Sequence, residues 1–398
     1  MRRTQVGIVG GGPAGLLLGE LLGARGIGNV VLEARDRAYA EARIRAGVLE
    51  QGSVDLLDEL GLADRLHREG LVHRGIYLQF NGVRHRIDMA QLTGGKTITV
   101  YGQQEVVKDL TAARLAAARE LIFEAEVIGL EAISPGAAGR PLIRYRHQGA
   151  EESLECDLVA GCDGSHGHCL SAIPRELSST HERIHPYAWL GILAEVAPST
   201  DELIYSFHDR GFALHSLRSP EISRLYLQVD TREQISNWSD ERIWEELQTR
   251  LGSPGWTLHQ GAVLDKSITP MRSFVAEPMN YGKLFLAGDA SHIVPPTGAK
   301  GLNLALADVR MLAEALKPYF ETGETLGLET YSERCLARVW KAQSFSIFMT
   351  QLLHLHPAAD AFELRLQQAR QDYLVQSTAA STALAENYVG LPFAAPTR

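Results

Sequence analysis

The sequence predicts an α/β fold in three parts: a Rossmann-like nucleotide-binding domain at the N-terminus, a β-sheet domain in the middle and a helical C-terminal region. Three observations predict it. A short apolar strand runs into a glycine-rich loop and then a leucine-rich helix within residues 5–22. Apolar and polar residues alternate through much of 189–229, as they do in strands with one covered face. From Leu302 onward, apolar residues recur at helical spacing.

At the N-terminus, Q-V-G-I-V (Gln5–Val9) reads as a buried strand. Gly10-Gly11-Gly12-Pro13-Ala14-Gly15 satisfies G-x-G-x-x-G, and Leu16, Leu17, Leu18, Leu21 and Leu22 give the next helix its apolar face. A second strand, Val30–Leu32, ends in Glu33. In such a unit Gly10 permits the tight turn, Gly12 lets backbone approach a pyrophosphate, and Gly15 lets the helix pack on the sheet. The helix start, including Ala14, offers N–H groups and a positive dipole end to phosphate. Glu33 stands where a carboxylate accepts from ribose hydroxyls. This loop suits FAD and NAD equally.

Two later motifs favour a flavin. D-L-V-A-G-C-D (Asp157–Asp163) is a strand running into an Asp-Gly turn at Gly164. K-L-F-L-A-G-D (Lys283–Asp289), followed by A-S-H-I-V-P-P, is a second strand ending in a carboxylate. T-G-A-K-G-L-N (Thr297–Asn303) then opens a long helix through Leu304–Leu316. Asp289 suits the ribityl chain of a flavin. The helix start at Lys300, Gly301, Leu302 and Asn303 suits the electron-rich pyrimidine edge of a reduced flavin.

Composition narrows the partners. The 398 residues are 45% hydrophobic and 22% charged, which excludes a disordered chain. A net charge of −9 argues against nucleic acid, because phosphate backbones attract basic surfaces. Four cysteines do not make a disulfide framework. Cys156, Cys162 and Cys169 lie near His166 and His168, but no C-x-x-C pair is present and no metal site is expected. Arg2 and Arg3 precede a charge-free run that glycines and Pro13 interrupt, unlike a signal peptide. No segment approaches the roughly 20 apolar residues of a membrane span. A cytoplasmic protein without membrane association is expected.

The βαβ start, the Asp-Gly turn and G-D-A-S-H-I-V-P-P together resemble the group A flavoprotein aromatic hydroxylases. Four longer segments are similar to the branch of that family that acts on 4-hydroxybenzoate: R-I-R-A-G-V-L-E-Q-G (Arg43–Gly52), G-G-K-T-I-T-V-Y-G-Q (Gly94–Gln103), P-P-T-G-A-K-G-L-N (Pro295–Asn303) and E-N-Y-V-G-L-P (Glu386–Pro392). The resemblance runs nearly end to end. It implies an FAD-binding domain of glutathione-reductase type over 1–178, completed in space by 284–316. A substrate-binding β-sheet domain would occupy 179–283. Residues 284–398 would supply a flavin-contacting strand and helix and the helical interface of a homodimer. The implied activity is hydroxylation of 4-hydroxybenzoate to 3,4-dihydroxybenzoate, with FAD as cofactor and NADPH or NADH and O2 as co-substrates. The alternative is a related phenolic acid such as 3-hydroxybenzoate.

Strand periodicity places Phe212, Leu214, Ser216 and Arg218 on one face, with Arg224, Tyr226 and Gln228 sharing a face on the next run. An arginine beside a serine makes a carboxylate receptor. By resemblance Ser216, Arg218 and Tyr226 hold the benzoate carboxylate, and Pro296 flanks the ring. Tyr205 accepts the phenolic proton, Tyr388 passes it on, and His73 exchanges it with solvent. A phenol titrates near ~10, so a pocket that attacks through the phenolate must stabilise that anion. Arg43, Arg45 and Gln103 would contact the cofactor, and Arg224 would hold positive charge near the flavin. Arg43, His166 and Arg272 match the nicotinamide cleft. After Glu33 the chain reads Ala34-Arg35-Asp36-Arg37-Ala38-Tyr39, which departs from the usual NADPH pattern at Ala34 and Asp36, while Arg35 and Arg37 still offer charge to a phosphate. His215 is expected to face away from the pocket.

Overall fold

The computed structural model describes residues 2–43 and 47–393. Arg45 lies outside the described residues. Among them the strands form four sheets. At the nucleotide end, Val6–Val9 lies between Asn29–Leu32 and Leu158–Gly161, all parallel, with Leu121–Ile122 and Leu284–Leu286 outside them. Val6–Val9 and Leu158–Gly161 are buried throughout, as parallel strands covered on both faces must be. On one face, Leu16, Leu17 and Leu21 of helix Pro13–Gly23 join Leu304, Val309 and Leu312 of helix Gly301–Thr322 in one apolar cluster. On the other, the sheet Arg2–Arg3, Ala150–Glu155, Leu142–His147 and Glu126–Glu131 contributes Ile143, Tyr145 and Leu154.

The second large sheet has eight strands. Their order is His292–Ile293, Ala262–Glu277, Ser179–Glu195, Ile222–Val229, Ala213–Leu217, Ile204–Phe207, Ile76–Phe80 and Val83–Ile87. Here the expected boundary at residue 178 needs correction. Ile204–Phe207 pairs in parallel with Ile76–Phe80, so this sheet takes two strands from the N-terminal part. A parallel partner cannot come through a tight turn. It comes from a distant segment that carries no local mark of which sheet it will join.

Strand Ile222–Val229 alternates as its sequence demands. Leu225, Leu227 and Val229 are buried on one face, while Arg224, Tyr226 and Gln228 are half-buried on the other. The first face packs against Ile243, Trp244, Leu247 and Leu251 of helix Asp240–Leu251, which starts where Ser239 accepts from Arg242 N–H. The second is roofed by helices Tyr331–Leu353 and Thr378–Val389 through Phe345, Met349, Leu384 and Tyr388. His215 lies on the first face, where its Nε2 accepts from Ser199 N–H, and so faces away from the roofed side. No helix among the described residues is long and apolar enough to cross a membrane.

One buried cation ties helix Gln103–Ala116 to the nucleotide sheet. Arg114 is fully buried and donates to Asn29 Oδ1 (2.8 Å) and Glu120 O (2.6 Å), with Glu20 3.5 Å away. Burial pulls its guanidinium down to about 10 against the opposing pull of Glu20. Arg114→Met would strand these acceptors in the interior. It is expected to destabilise the protein by about 3 kcal/mol, seen in urea as a lower midpoint with an unchanged slope.

Candidate active site

The glycine loop is shaped for a ligand rather than for packing alone. Gly10 has φ +105°, and a Cβ on Gly15 would overlap Gly10 O. A Cβ on Gly12 would meet nothing within 4 Å. Gly12 caps helix Pro13–Gly23 with no side-chain hydrogen bond, so the first N–H groups of the helix, around Ala14, face this open space. Glu33 holds the turn by accepting from Gly11 N–H (2.7 Å) and Arg35 N–H (2.9 Å). Across the cleft Asp289 is exposed in a short turn, and Gln103 begins helix Gln103–Ala116.

The turn bearing Asp289 is held from behind. Asp308, fully buried on helix Gly301–Thr322, accepts from Gly288 N–H (2.9 Å) and meets His292 Nε2 at 2.6 Å. Burial disfavours the imidazolium, but the charge and hydrogen bond of Asp308 outweigh it and raise the His292 pKa. At the start of the same helix two side chains are engaged elsewhere. The Lys300 ammonium does not reach into the cleft. It turns inward to Glu50 Oε1 (2.7 Å), Tyr388 O (3.2 Å) and Asn387 O. The Asn303 amide is likewise committed, accepting from Glu50 N–H and Ser53 Oγ–H and donating to Val48 O and Ala299 O. Only the backbone of Lys300, Gly301, Leu302 and Asn303 remains for a cofactor. Ala299, just before it, sits at φ +55°, a left-handed conformation that costs a non-glycine residue about 1 kcal/mol.

The roofed face of the large sheet gathers the other candidates. Tyr205 is opposite Leu214, Leu214 opposite Tyr226, and Ser216 opposite Arg224, and opposed residues share a face. Tyr205 and Tyr388, 183 positions apart, meet hydroxyl to hydroxyl at 2.5 Å. Arg224 Nε donates to Tyr226 Oη (3.3 Å), and Arg224 Nη1 is buried without a hydrogen bond among the described residues. Arg218 directly follows the strand bearing Ser216, and burial lowers its pKa. Arg224 Nη1 also lies 3.9 Å from Asp265 Oδ2. The ring of Tyr226 is braced by Trp189, 4.8 Å away between centroids, whose indole N–H donates to His354 Nε2 (2.7 Å). Pro296 is exposed at the start of a short helical turn, anchored through Thr297 Oγ1 to Thr350 Oγ1.

His73 differs from expectation. Its ring is fully buried, so it does not itself meet bulk solvent, and neither ring nitrogen has a hydrogen-bond partner among the described residues. Burial pulls its pKa down to about 4. His73 pairs in register with Ile98, which shares an apolar cluster with Tyr205 and Tyr388.

The nicotinamide candidates come from three segments. Arg35 and Arg43 flank helix Arg37–Ala42, His166 is exposed in the turn after Asp163, and Arg272 lies on a strand 3.3 Å from Glu182. No hydrogen bond joins the four among the described residues. Asp36 caps its helix by accepting from Tyr39 N–H (2.7 Å), so this departure from the usual pattern has a structural role. Cys156, Cys162 and Cys169 are buried free thiols, and burial pushes Cys156 up to about 12.

Comparison with known proteins identifies the family. A family described as an FAD binding domain matches residues 3–346. The chain belongs to that family. The p-hydroxybenzoate hydroxylase of Acinetobacter baylyi is 48% identical over 392 residues, 98% of this chain and 96% of that protein. The crystal structure of p-nitrophenol 4-monooxygenase PnpA from Pseudomonas putida DLL-E4 superposes with a TM-score of 0.83 at 19% identity, over 98% of this chain and 100% of that one. The anhydrotetracycline hydroxylase OxyS from Streptomyces rimosus does so at 0.73 and 22% identity, over 97% and 76%. These two show the shared fold.

The cleft fits FAD: it has an uncapped helix start beside an open glycine, and an exposed carboxylate on a rigid turn. Sequence reasoning passed over Glu50, Asp308 and Arg338. Asp308 had a signal, since it is a lone carboxylate within the apolar run L-N-L-A-L-A-D-V. Gly12→Ala is expected to leave the thermal unfolding of apoprotein unchanged, because its Cβ meets nothing. The same change should weaken FAD binding at least tenfold, or about 1.4 kcal/mol, in a fluorescence titration. Gly15→Ala should damage both.

Proposed function

We propose that this chain is an FAD-dependent monooxygenase that converts 4-hydroxybenzoate to 3,4-dihydroxybenzoate with O2 and a reduced nicotinamide cofactor. The observation that carries this reading is the Tyr205–Tyr388 hydroxyl contact on the sheet face that also bears Ser216, Arg218, Arg224 and Tyr226. The p-hydroxybenzoate hydroxylase relative, 48% identical, supports it. FAD, held by the glycine loop, Asp289 and the start of helix Gly301–Thr322, would supply the redox chemistry that activates O2 toward the substrate ring.

The protein's part is binding, orientation and proton handling. Arg218 and Ser216, with Tyr226, grip the carboxylate, and burial of the guanidinium strengthens the pair by excluding water. Tyr205 and Tyr226 are two strands apart, roughly 10 Å from strand spacing. A para-substituted ring can span that gap with its carboxylate at one end and its oxygen at the other. A meta oxygen leaves that axis, which disfavours 3-hydroxybenzoate. Burial raises the pKa of Tyr205 and of Tyr388, so both stay neutral at physiological pH. They move the substrate proton by exchanging hydrogen bonds rather than by ionising. The neutral His73 imidazole, with both nitrogens unengaged, is the next acceptor.

NADPH or NADH would approach through Arg35, Arg43, His166 and Arg272, which are exposed or half-exposed as a transient partner needs. The exposed Phe362, Leu366 and Tyr373 of helix Ala361–Gln376 favour a homodimer through that helix. Four buried free thiols suit a reducing cytoplasm.

Purified protein should be yellow and should oxidise NAD(P)H faster when 4-hydroxybenzoate is added. A colourless protein would overturn the proposal. Anaerobic flavin reduction with each nicotinamide decides the coenzyme. Tyr205→Phe should retain FAD and 4-hydroxybenzoate but lose hydroxylation at least ~100-fold. Dihydroxy product at the wild-type rate would refute the relay. Arg218→Ala should raise the KM for 4-hydroxybenzoate roughly 10- to 100-fold, and an unchanged KM would remove the carboxylate receptor.

A further inference from the structure

The helix bearing Tyr388 ends at Val389, and the chain beyond it is strapped down by cations from elsewhere in the fold. Lys300 Nζ donates to Asn387 O and Tyr388 O. Arg338 Nη1 donates to Leu391 O and Pro392 O, each at 2.9 Å. Glu50 lies between the two cations, with Oε1 2.7 Å from Lys300 and Oε2 3.4 Å from Arg338. The strap passes so close to this carboxylate that a Cβ on Gly390, at φ +102°, would overlap Glu50 Oε2. The Phe393 ring then fills the space over Gly52, with the guanidinium carbons of Arg310 and Arg338 4.6 Å and 5.1 Å from its centre. Arg310 is balanced by Glu59 and Glu314.

Four carbonyls within six residues, those of Asn387, Tyr388, Leu391 and Pro392, all on cations, is more than chain termination requires. A free helix end satisfies its last carbonyls with water or a left-handed glycine. Arg338 shares helix Tyr331–Leu353 with Phe345, whose ring stands edge-on to Tyr388 at 6.3 Å. One helix therefore grips both the strap and the tyrosine it follows.

We propose that residues 387–393 form a strap that holds the Tyr388 hydroxyl in contact with Tyr205, with Arg338 as its positioning residue. Arg338 touches neither substrate nor cofactor. It acts by fixing the segment that ends the helix. When the strap is loose, Tyr388 leaves Tyr205, the bound phenolate loses part of its hydrogen-bonded support, and the substrate stays protonated to higher pH. The charged groups around the strap are Glu50, Lys300, Arg338 and Arg310 with Glu59 and Glu314. The titrating group is the ligand's own phenol, which faces Tyr205.

This inference rests on the functional reading above, and the experiment separates the two. 4-Hydroxybenzoate is bound to FAD-loaded wild type, Arg338→Met and Phe393→Ala, and its phenol-to-phenolate absorbance change is followed against pH. Benzoate, which has no phenol, is titrated in parallel by flavin fluorescence. Phe393→Ala removes only the wedge and keeps every buried charge, so it stands in if Arg338→Met fails to fold. The titration midpoint should rise by about one pH unit in each folded variant, while benzoate affinity stays within twofold of wild type. Product formed per nicotinamide oxidised should fall with it, and Arg338→Lys should recover part of the midpoint shift. Variants that bind both ligands and titrate as wild type does would overturn the strap alone. Wild-type protein that binds benzoate but no 4-hydroxybenzoate would overturn the functional reading and the strap together.

Discussion

Three polar side chains around the start of helix Gly301–Thr322 fix most of what the site depends on. Lys300 joins Glu50 to the end of the Tyr388 helix. Asn303 fastens Val48–Glu50 and the helix after it. Asp308 holds the Gly288 turn and His292. Each is buried, so each must find its partners or cost several kcal/mol. Because the partners come from three distant segments, the requirement works as a registration device. The helix can satisfy its own polar groups only when strand Val48–Glu50, the Asp289 turn and the C-terminal helix arrive together. Apolar packing alone tolerates alternatives that such a network excludes.

The same logic explains the sheet face. Arg218 follows one strand and Arg224 sits on its neighbour beneath an apolar roof, with Asp265 3.9 Å from Arg224, and a bound carboxylate would further offset these two like charges. Trp189, Phe212 and His354 stack beside them, with Phe212 and His354 centroids 4.3 Å apart, and hold Tyr226 without adding charge. Burial pulls His354 down to about 3, leaving it neutral as the acceptor for the Trp189 indole.

The parts legible in the sequence were those set by local pattern. The βαβ start, the alternation through Ile222–Val229 and the outward turn of His215 follow from spacing along a few residues. The resemblance brought Tyr205 and Tyr388 together, which no local pattern could do across 183 positions. What stayed hidden were contacts decided by packing. Lys300 and Asn303 sit at a helix start where a cofactor could be met, and only the arrival of Glu50, 250 and 253 positions away, turns their side chains inward. Ile76–Phe80 gave no sign of its sheet, because a strand does not encode its neighbour. His73, expected to exchange a proton with solvent, is buried on strand Leu71–His73, which pairs with Ile98–Val100.

The pocket's charge balance follows from these placements. A benzoate with an ionised para oxygen carries two negative charges at opposite ends of its ring. The protein offers two guanidinium groups, and Tyr205, Tyr388 and His73 all stay neutral because burial penalises their charged forms. A tyrosinate beside the substrate oxygen would repel the phenolate it is meant to support, and an imidazolium would trap the released proton. Burial removes both, so the proposed relay would carry a proton without keeping a charge. The substrate's own oxygen then becomes the group whose ionisation the site controls, through hydrogen bonds whose geometry the surrounding helices set.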